Sequence, residues 1–127
     1  MNTTTVRSAV IPAAALLTSW NAYAWKDGVC LDQLAVLDRV TVLTRNSKYE
    51  IVVVSIATGE VLVRGGALFP EFTAVRLAGC TLGGSFLKLR SIYVGFHMEF
   101  AVPNGVVITS PVGTIAVSSS DASTPIM

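Results

Sequence analysis

The stretch Ser91-Ile-Tyr-Val-Gly-Phe-His-Met-Glu-Phe-Ala-Val-Pro-Asn-Gly-Val-Val-Ile-Thr-Ser110 alternates apolar with mixed side chains over its first ten residues. Successive side chains of a β-strand point to opposite faces, so this alternation predicts a strand with one apolar face. Asn104-Gly105 follows, and this pair suits the two central positions of a type I′ turn. Val106 to Thr109 then supplies a return strand. The stretch therefore predicts one β-hairpin.

Further short strands are predicted on both sides of this hairpin, at residues 40–44, 49–56, 61–64, 73–78, 86–90 and 112–118. A change in the apolar phase predicts a break at Arg90-Ser91. Pro70 lacks a backbone N–H and argues against a central strand at 67–72. Residues 79–84 are expected to form a loop, and Ser110-Pro111 to end the return strand. We expect six or seven of these candidates to form short strands, which favours one all-β domain, either a small β-barrel or a compact sandwich.

Residues 1–24 differ in composition from the rest of the chain. A polar start precedes an uncharged, mostly apolar run that ends in Ala22-Tyr23-Ala24. That order is typical of a secretory signal cut after Ala24. Only Arg7 precedes the apolar run and Pro12 interrupts it, so the alternative is an uncleaved helix or extension. We expect a cytoplasmic protein if this segment is retained and an exported one if it is removed.

The remaining chain divides into three segments. Residues 25–38 are predicted to hold a short N-terminal helix that leads into the domain, because apolar residues recur there at helical spacing. These are Cys30, Leu31, Leu34 and Leu37. Residues 39–118 form the predicted β domain. Residues 119–127 are Ser-rich and are predicted to be a disordered tail.

Composition narrows the class of protein. Of all residues, 52% are apolar and 13% are charged, which excludes a disordered chain. The net charge is +1 for the whole chain, and +3 over residues 39–118, where seven Lys/Arg face four Asp/Glu. This bias is too small to indicate a nucleic-acid or membrane partner by itself. After residue 25 no apolar run is long enough to span a bilayer, so no membrane span is expected in the mature chain.

The two cysteines, Cys30 and Cys80, do not form a CxxC motif. In an exported chain they are candidates for one disulfide, and in a cytoplasmic chain they are expected to be small buried residues.

No catalytic, cofactor or metal site is predicted. His97 and Glu99 share the mixed face of one strand, but a metal site usually draws on three or four ligands. The chain has a single histidine and no G-x-S-x-G motif around a nucleophile. The pairs Gly65-Gly66 and Gly83-Gly84 fit no phosphate-loop pattern and are interpreted as turns or places of close backbone approach. We therefore expect a protein that is not an enzyme.

Two groups of residues are candidates for binding. A basic set with aromatic stacking partners would suit nucleic acid on a small barrel; it comprises Arg45, Lys48, Arg64, Arg76, Lys88 and Arg90, with Tyr49 and Tyr93. A second group is predicted to lie at a protein interface; it comprises Phe69, Phe72, Tyr93 and His97. For Phe69 and Phe72, the alternative is that they fold back and plug one end of the barrel.

The segment 39–118 resembles a type of short, uncharacterised bacterial protein. The residues that carry the resemblance are Asn46-Ser47-x-Tyr49-Glu50, Gly65-Gly66 followed by Phe69-Pro70-Glu71, Gly83-Gly84 with Leu87-Lys88, Gly95 with Met98-Glu99-Phe100, and Thr109-Ser110-Pro111-Val112. The resemblance implies that the β run is the functional unit, and it implies no activity.

Three functional hypotheses follow. The first is a non-enzymatic module that binds protein, most simply as a homo-oligomer, because an apolar-rich chain with little charge often uses its excess apolar surface in an interface. The second is a small-barrel nucleic-acid-binding protein. The third is a small exported protein with a Cys30–Cys80 disulfide.

Overall fold

The computed structural model describes residues 26–82 and 86–119, and these form an all-β structure. The strands are β1 (Gly28–Cys30), β2 (Arg39–Thr44), β3 (Lys48–Ser55), β4 (Glu60–Gly65), β5 (Phe69–Thr81), β6 (Leu87–Leu89), β7 (Ser91–Tyr93), β8 (His97–Val102) and β9 (Gly105–Ser118). In these two ranges no helix has the length and apolar character needed to cross a membrane. The predicted signal (1–24), Gly83-Gly84 and all but the first residue of the predicted tail lie outside the described residues.

Seven of these strands form one antiparallel sheet in the order β4-β3-β2-β9-β8-β5-β6. A further pairing of β4 with β5 makes the sheet partly ringed. Strands β1 and β7 form a separate two-stranded sheet. The prediction of an all-β fold is confirmed.

The ring depends on two long strands that change partner along their length. The first part of β5 pairs with β4 and its last part with β8. In the same way, β9 pairs first with β8 and then with β2. Register shifts mark the changes, for example between Leu77 and Gly79 on β5. Such bulges bend a strand and increase its twist, which allows one strand to serve two parts of a curved sheet.

The expected interruptions in these strands were therefore wrong. Residues 79–81 continue β5 instead of starting a loop, and Ser110-Pro111 lies inside β9. Phe69-Pro70-Glu71-Phe72 also belongs to β5. Its pairing with β4 is irregular there, since the register shifts between Val63 and Gly65. Pro70 therefore lies in an irregular part of the ladder, where a residue without a backbone N–H is tolerated.

The predicted N-terminal helix is also wrong. Residues 28–30 form β1, and Leu31–Gln33 form a single 3₁₀ turn. Strand β1 pairs with β7, and Leu31 is almost completely buried against the core. Pairing and burial outweigh the helical spacing of the apolar residues, because intrinsic propensity is a weak preference that tertiary contacts override.

The predicted hairpin is correct from His97 onward and wrong before it. Strands β8 and β9 pair as expected, with Val102 opposite Gly105 across the Asn104 turn. Residues 91–93 instead form β7, and a turn with Gly95 at φ 91° separates them from β8. The predicted break before Ser91 is confirmed, since Arg90 has φ 50°.

The core is formed by the inward residues of the ring. Strand alternation puts them on one face, as in Val40 and Val42 of β2 or Ile51 and Val53 of β3. Phe100 is fully buried, and its ring centroid lies 5.8 Å from that of Phe69 and 6.4 Å from that of Tyr49. A second buried cluster contains Cys80, Tyr93 and Phe96.

Candidate interaction surfaces

One part of β9 has a free edge among the described residues. Residues 105–108 pair with β8 on one side, whereas β2 pairs only from Val112 onward. From Ser110 the edge is covered, because the Asn46 amide donates to Ser110 Oγ at 3.1 Å. Before that point, Val106 and Ile108 are 56% and 45% exposed. We call residues 105–108 the β9 edge.

A second stretch of edge differs in character. Residues 69–75 of β5 pair with β4, and β8 joins β5 only from Arg76. This stretch contains Pro70, which has no N–H to offer, and the exposed carboxylate of Glu71. Proline and charge are features that protect a strand edge from pairing with another chain. The β9 edge has neither.

A cluster of charged and aromatic side chains lies on the outer face of β2 to β5. Arg64 Nε donates to Glu50 Oε1 at 2.8 Å, and its guanidinium carbon lies 4.3 Å from the centroid of the Phe72 ring. Arg39 lies 3.9 Å from Glu50 Oε2 and 5.8 Å from the same ring centroid. The hydrogen bond from Arg64 lowers the pKa of Glu50 below its ordinary value, and the nearby positive charges of Lys48 and Arg39 lower it further. We call Arg39, Glu50, Arg64 and Phe72 the outer arginine cluster.

Two other predicted basic residues line one cavity. Arg76 and Arg90 share a cavity of about 210 Å³ with Thr58 and Leu89. A neighbouring groove is lined by Arg90 together with Lys88, Tyr93 and Cys30. The structure thus brings Arg76, Lys88 and Arg90 to adjoining sites.

The rest of the predicted nucleic-acid set lies elsewhere. Arg45 is in the β2–β3 turn and Lys48 begins β3, while Arg64 belongs to the outer arginine cluster. Tyr49 is buried, with its ring near Phe100 in the core, so it presents no face for stacking on a base. The set is divided among separate places on the molecule.

The predicted interface aromatics also separate. Phe69 is 4% exposed and Tyr93 is buried beside Cys80, so neither is an exposed anchor. Phe69 packs in the core, where its ring meets that of Phe100 edge to face. Phe72 and His97 are half-buried. His97 Nδ1 donates to the Thr109 carbonyl at 2.6 Å, which holds the ring against β9.

Both cysteines are free thiols in the structure. Burial raises the pKa of the Cys80 thiol to about 11, partly offset by nearby Lys88, and the proximity of Cys30 raises it further. Cys30 is half-buried on β1. The Cys30–Cys80 disulfide stays a prediction.

Sequence reasoning did not single out Val106 and Ile108. A usable signal was present, because residues 105–118 contain no charged side chain while positions 106 and 108, which share a face of the strand, are apolar. Among the described residues, no group of three or more His, Cys, Asp or Glu is arranged to hold a metal ion.

Comparison with known proteins adds no relative. No family model, curated protein or solved structure matches this chain.

Proposed function

We propose that this chain is a non-enzymatic interaction module that self-associates through the β9 edge. The observation that carries the proposal is the unpaired side of residues 105–108, next to the exposed side chains of Val106 and Ile108. Every second residue of such an edge directs its N–H and C=O away from the existing partner strand. An edge of this kind is a template for pairing with a strand from another chain.

Charge favours a second copy of the same chain as the partner. In a two-fold arrangement the same patch of each copy meets its equivalent, so a charged edge would place like charges opposite each other. Strand β9 carries no charge over its 14 residues. Val106 and Ile108 are about half exposed, so burial of each on association would contribute about half of the roughly 1.5–3 kcal/mol that full burial of an exposed side chain gives.

Whether the domain is a barrel or a sandwich determines why the β9 edge is free. The β4–β5 pairing supports a small closed barrel, since closure requires each strand of the ring to have two neighbours. In a barrel, free edges persist where a long strand extends past the end of its neighbour. Strand β9 does this at residues 105–108, beyond the end of its pairing with β2.

Sedimentation velocity of the full chain over a range of concentrations tests the proposal. The wild-type chain is expected to shift from monomer to dimer as its concentration rises. The double variant Val106→Lys/Ile108→Lys is expected to stay monomeric, because lysines on the edge of both copies repel each other. Leu68→Lys is the matched control, since Leu68 is 67% exposed but lies in the β4–β5 turn.

Two results would contradict self-association through this edge. One is a wild-type chain that remains monomeric at the highest concentration reached. The other is a double variant that dimerises as the wild type does. Circular dichroism and urea unfolding of both variants establish that each is folded before it is compared.

The nucleic-acid alternative has less support, because its residues are divided among separate places and the Tyr49 ring is buried. It stays a prediction. Binding of a single-stranded oligonucleotide at low salt that weakens steeply as salt rises would favour it.

The exported alternative depends on residues 1–24, which lie outside the described residues. It also stays a prediction. The intact mass of the native protein, with and without reductant, decides whether the chain begins at Trp25 and carries a disulfide.

A further inference from the structure

The cavity that holds Arg76 and Arg90 is not used by the proposed self-association. It lies between the β3–β4 turn, which contributes Thr58, and the β6–β7 turn, which contributes Arg90. Its volume is about 210 Å³. Two arginines that line one cavity make it electropositive, which favours an anionic ligand there.

Arg76 has no partner for its charge among the described residues. It sits on β5 directly opposite Glu60 of β4 and Ala101 of β8. Although Glu60 is its cross-strand neighbour, the two side chains form no ion pair. The Arg76 guanidinium is therefore available to a ligand.

Arg90 is held in an unusual conformation by its backbone. Its φ of 50° is in the left-handed region, which is costly for residues other than glycine. The Arg90 amide donates to the Ala78 carbonyl at 2.9 Å, and its carbonyl accepts from the Leu31 amide at 2.8 Å. These bonds fix the turn, and strained residues of this kind cluster at binding sites.

The Arg90 side chain is positioned by packing and is only weakly neutralised. Its stem lies beside Gly59, where a methyl group would be 3.5 Å from Arg90 Cγ. Within the part of the chain that the structure describes, Nε is buried and has no hydrogen-bond partner, and it forms only a long ion pair with Asp32 Oδ1, at 3.7 Å. Buried polar groups are normally hydrogen-bonded, so the Nε–H of Arg90 is a donor that a ligand oxygen can satisfy.

We infer that the Arg76–Arg90 cavity binds a single phosphate group of a small molecule. Two guanidinium groups match the double charge of phosphate and its fork-like hydrogen-bonding geometry. Thr58 Oγ1 accepts a hydrogen bond from the Glu60 amide at 3.3 Å, which leaves its hydroxyl hydrogen to donate to the ligand. Asp32 and Glu60 lie beside the two arginines. Their charges oppose a continuous nucleic-acid backbone and restrict the site to one isolated group.

Titration of the full ¹⁵N-labelled chain with inorganic phosphate, followed by NMR, tests this inference. Saturable shifts are expected for the amides of Thr58, Gly59, Arg76 and Arg90, and sodium chloride at matched ionic strength should not reproduce them. Arg76→Gln and Arg90→Gln are each expected to weaken binding by about tenfold or more, since each removes a charge-assisted hydrogen bond. Arg45→Gln, a charge change in the β2–β3 turn, should leave the affinity unchanged.

Several results would overturn the inference. They are shifts that do not saturate, shifts that chloride reproduces, or an equal loss of affinity in Arg45→Gln. If Arg90→Gln does not fold, Arg76→Gln alone tests the inference: weaker phosphate binding supports it, and unchanged binding contradicts it. A second titration with glucose 6-phosphate distinguishes the source of the group: tighter binding than phosphate indicates a phosphorylated metabolite, and equal binding indicates free phosphate. Neither titration depends on the oligomeric state, so the inference and the proposed self-association fail independently.

Discussion

Arg64 and Phe72 are stacked on the outside of the sheet, with the guanidinium carbon 4.3 Å from the ring centroid. Arg64 is on β4, and Phe72 is in the irregular part of β5, where the β4–β5 register shifts. Arg64 also donates to Glu50 on β3. The contact thus ties the start of β5 to the neighbouring strands at a place where the backbone ladder is incomplete.

Phe69→Ala and Phe72→Ala should differ sharply, although the two residues are three positions apart. Phe69 is 4% exposed and its ring meets that of Phe100 edge to face, so its truncation should lower the free energy of unfolding by about 3–5 kcal/mol. Phe72 is half-buried, and loss of its cation–π contact should cost about 0.5–1 kcal/mol. Urea unfolding of both variants measures the difference. Equal destabilisation would contradict the placement of Phe69 in the core.

The melting temperature of Glu50→Gln should depend less on pH, in the acidic range, than that of the wild type. The pKa of Glu50 is lowered in the folded chain from an ordinary value of 4.5, chiefly by the Arg64 hydrogen bond. Ionised Glu50 therefore stabilises the folded chain fully above pH 4.5, and this stabilisation is lost as the pH falls through the pKa of Glu50 in the folded chain. The melting temperature of the wild type should exceed that of Glu50→Gln at neutral pH, and the gap should narrow below pH 4.5.

Glu71→Gln is the control for this comparison, because Glu71 is exposed and its side chain has no ion pair among the described residues. Its melting temperature should follow that of the wild type at every pH. High salt should reduce the Glu50 effect, since the group is close to solvent. A gap that widens on acidification would contradict the ion pair.

The alternation of side chains and the turn residues predicted those parts of the fold that depend on short stretches of sequence. Strands β2, β3 and β4 and the tip of the β8–β9 hairpin follow from alternation and turn residues, and the break at Arg90 follows from a change of phase. The partner changes of β5 and β9 could not be predicted in this way. In a sequence, a Gly or Pro can mark either the end of a strand or a bulge within it. In β5 and β9 these residues lie at bulges, and this becomes clear only from the pairing with the distant strands β2 and β8.

The candidate sites were less predictable than the fold for the same reason. Arg76 and Arg90 are 14 positions apart, and they share a cavity because the β6–β7 turn folds back against Ala78 on β5. The sequence singled out Tyr49 as a stacking partner and Phe69 as an interface or plug residue, and neither pattern shows that the curved sheet buries both side chains. Burial of an aromatic residue depends on the opposite wall of the fold, and no short window of sequence contains that wall.

The two cysteines should react with iodoacetamide at different rates in the folded, reduced chain. Burial holds the pKa of Cys80 at about 11, so very little reactive thiolate is present at neutral pH. Cys30 is half-buried and lies on the short strand β1. Mass spectrometry over time should show one fast and one slow alkylation, and the slow rate should increase as the pH is raised.

The same measurement checks the disulfide prediction. If neither cysteine of the native, unreduced protein is alkylated until reductant is added, the Cys30–Cys80 bridge is present. Two thiols that react equally fast in the reduced chain would contradict the buried position of Cys80.

Gly79→Ala and Gly105→Ala should separate steric overlap from backbone strain. Both glycines have nearly the same backbone angle, with φ of 152° and 147°. A methyl group at Gly105 would meet no atom of the described residues within 4 Å, whereas one at Gly79 would overlap the carbonyl of Lys88 on β6. Gly105→Ala should therefore cost about 1–3 kcal/mol, the usual range for a strained residue. Gly79→Ala should cost clearly more, because β6 must also move away from the bulge that lets β5 turn from β4 to β8. Thermal unfolding of the two variants beside the wild type measures both effects, and equal losses would mean that β6 does not lie against Gly79.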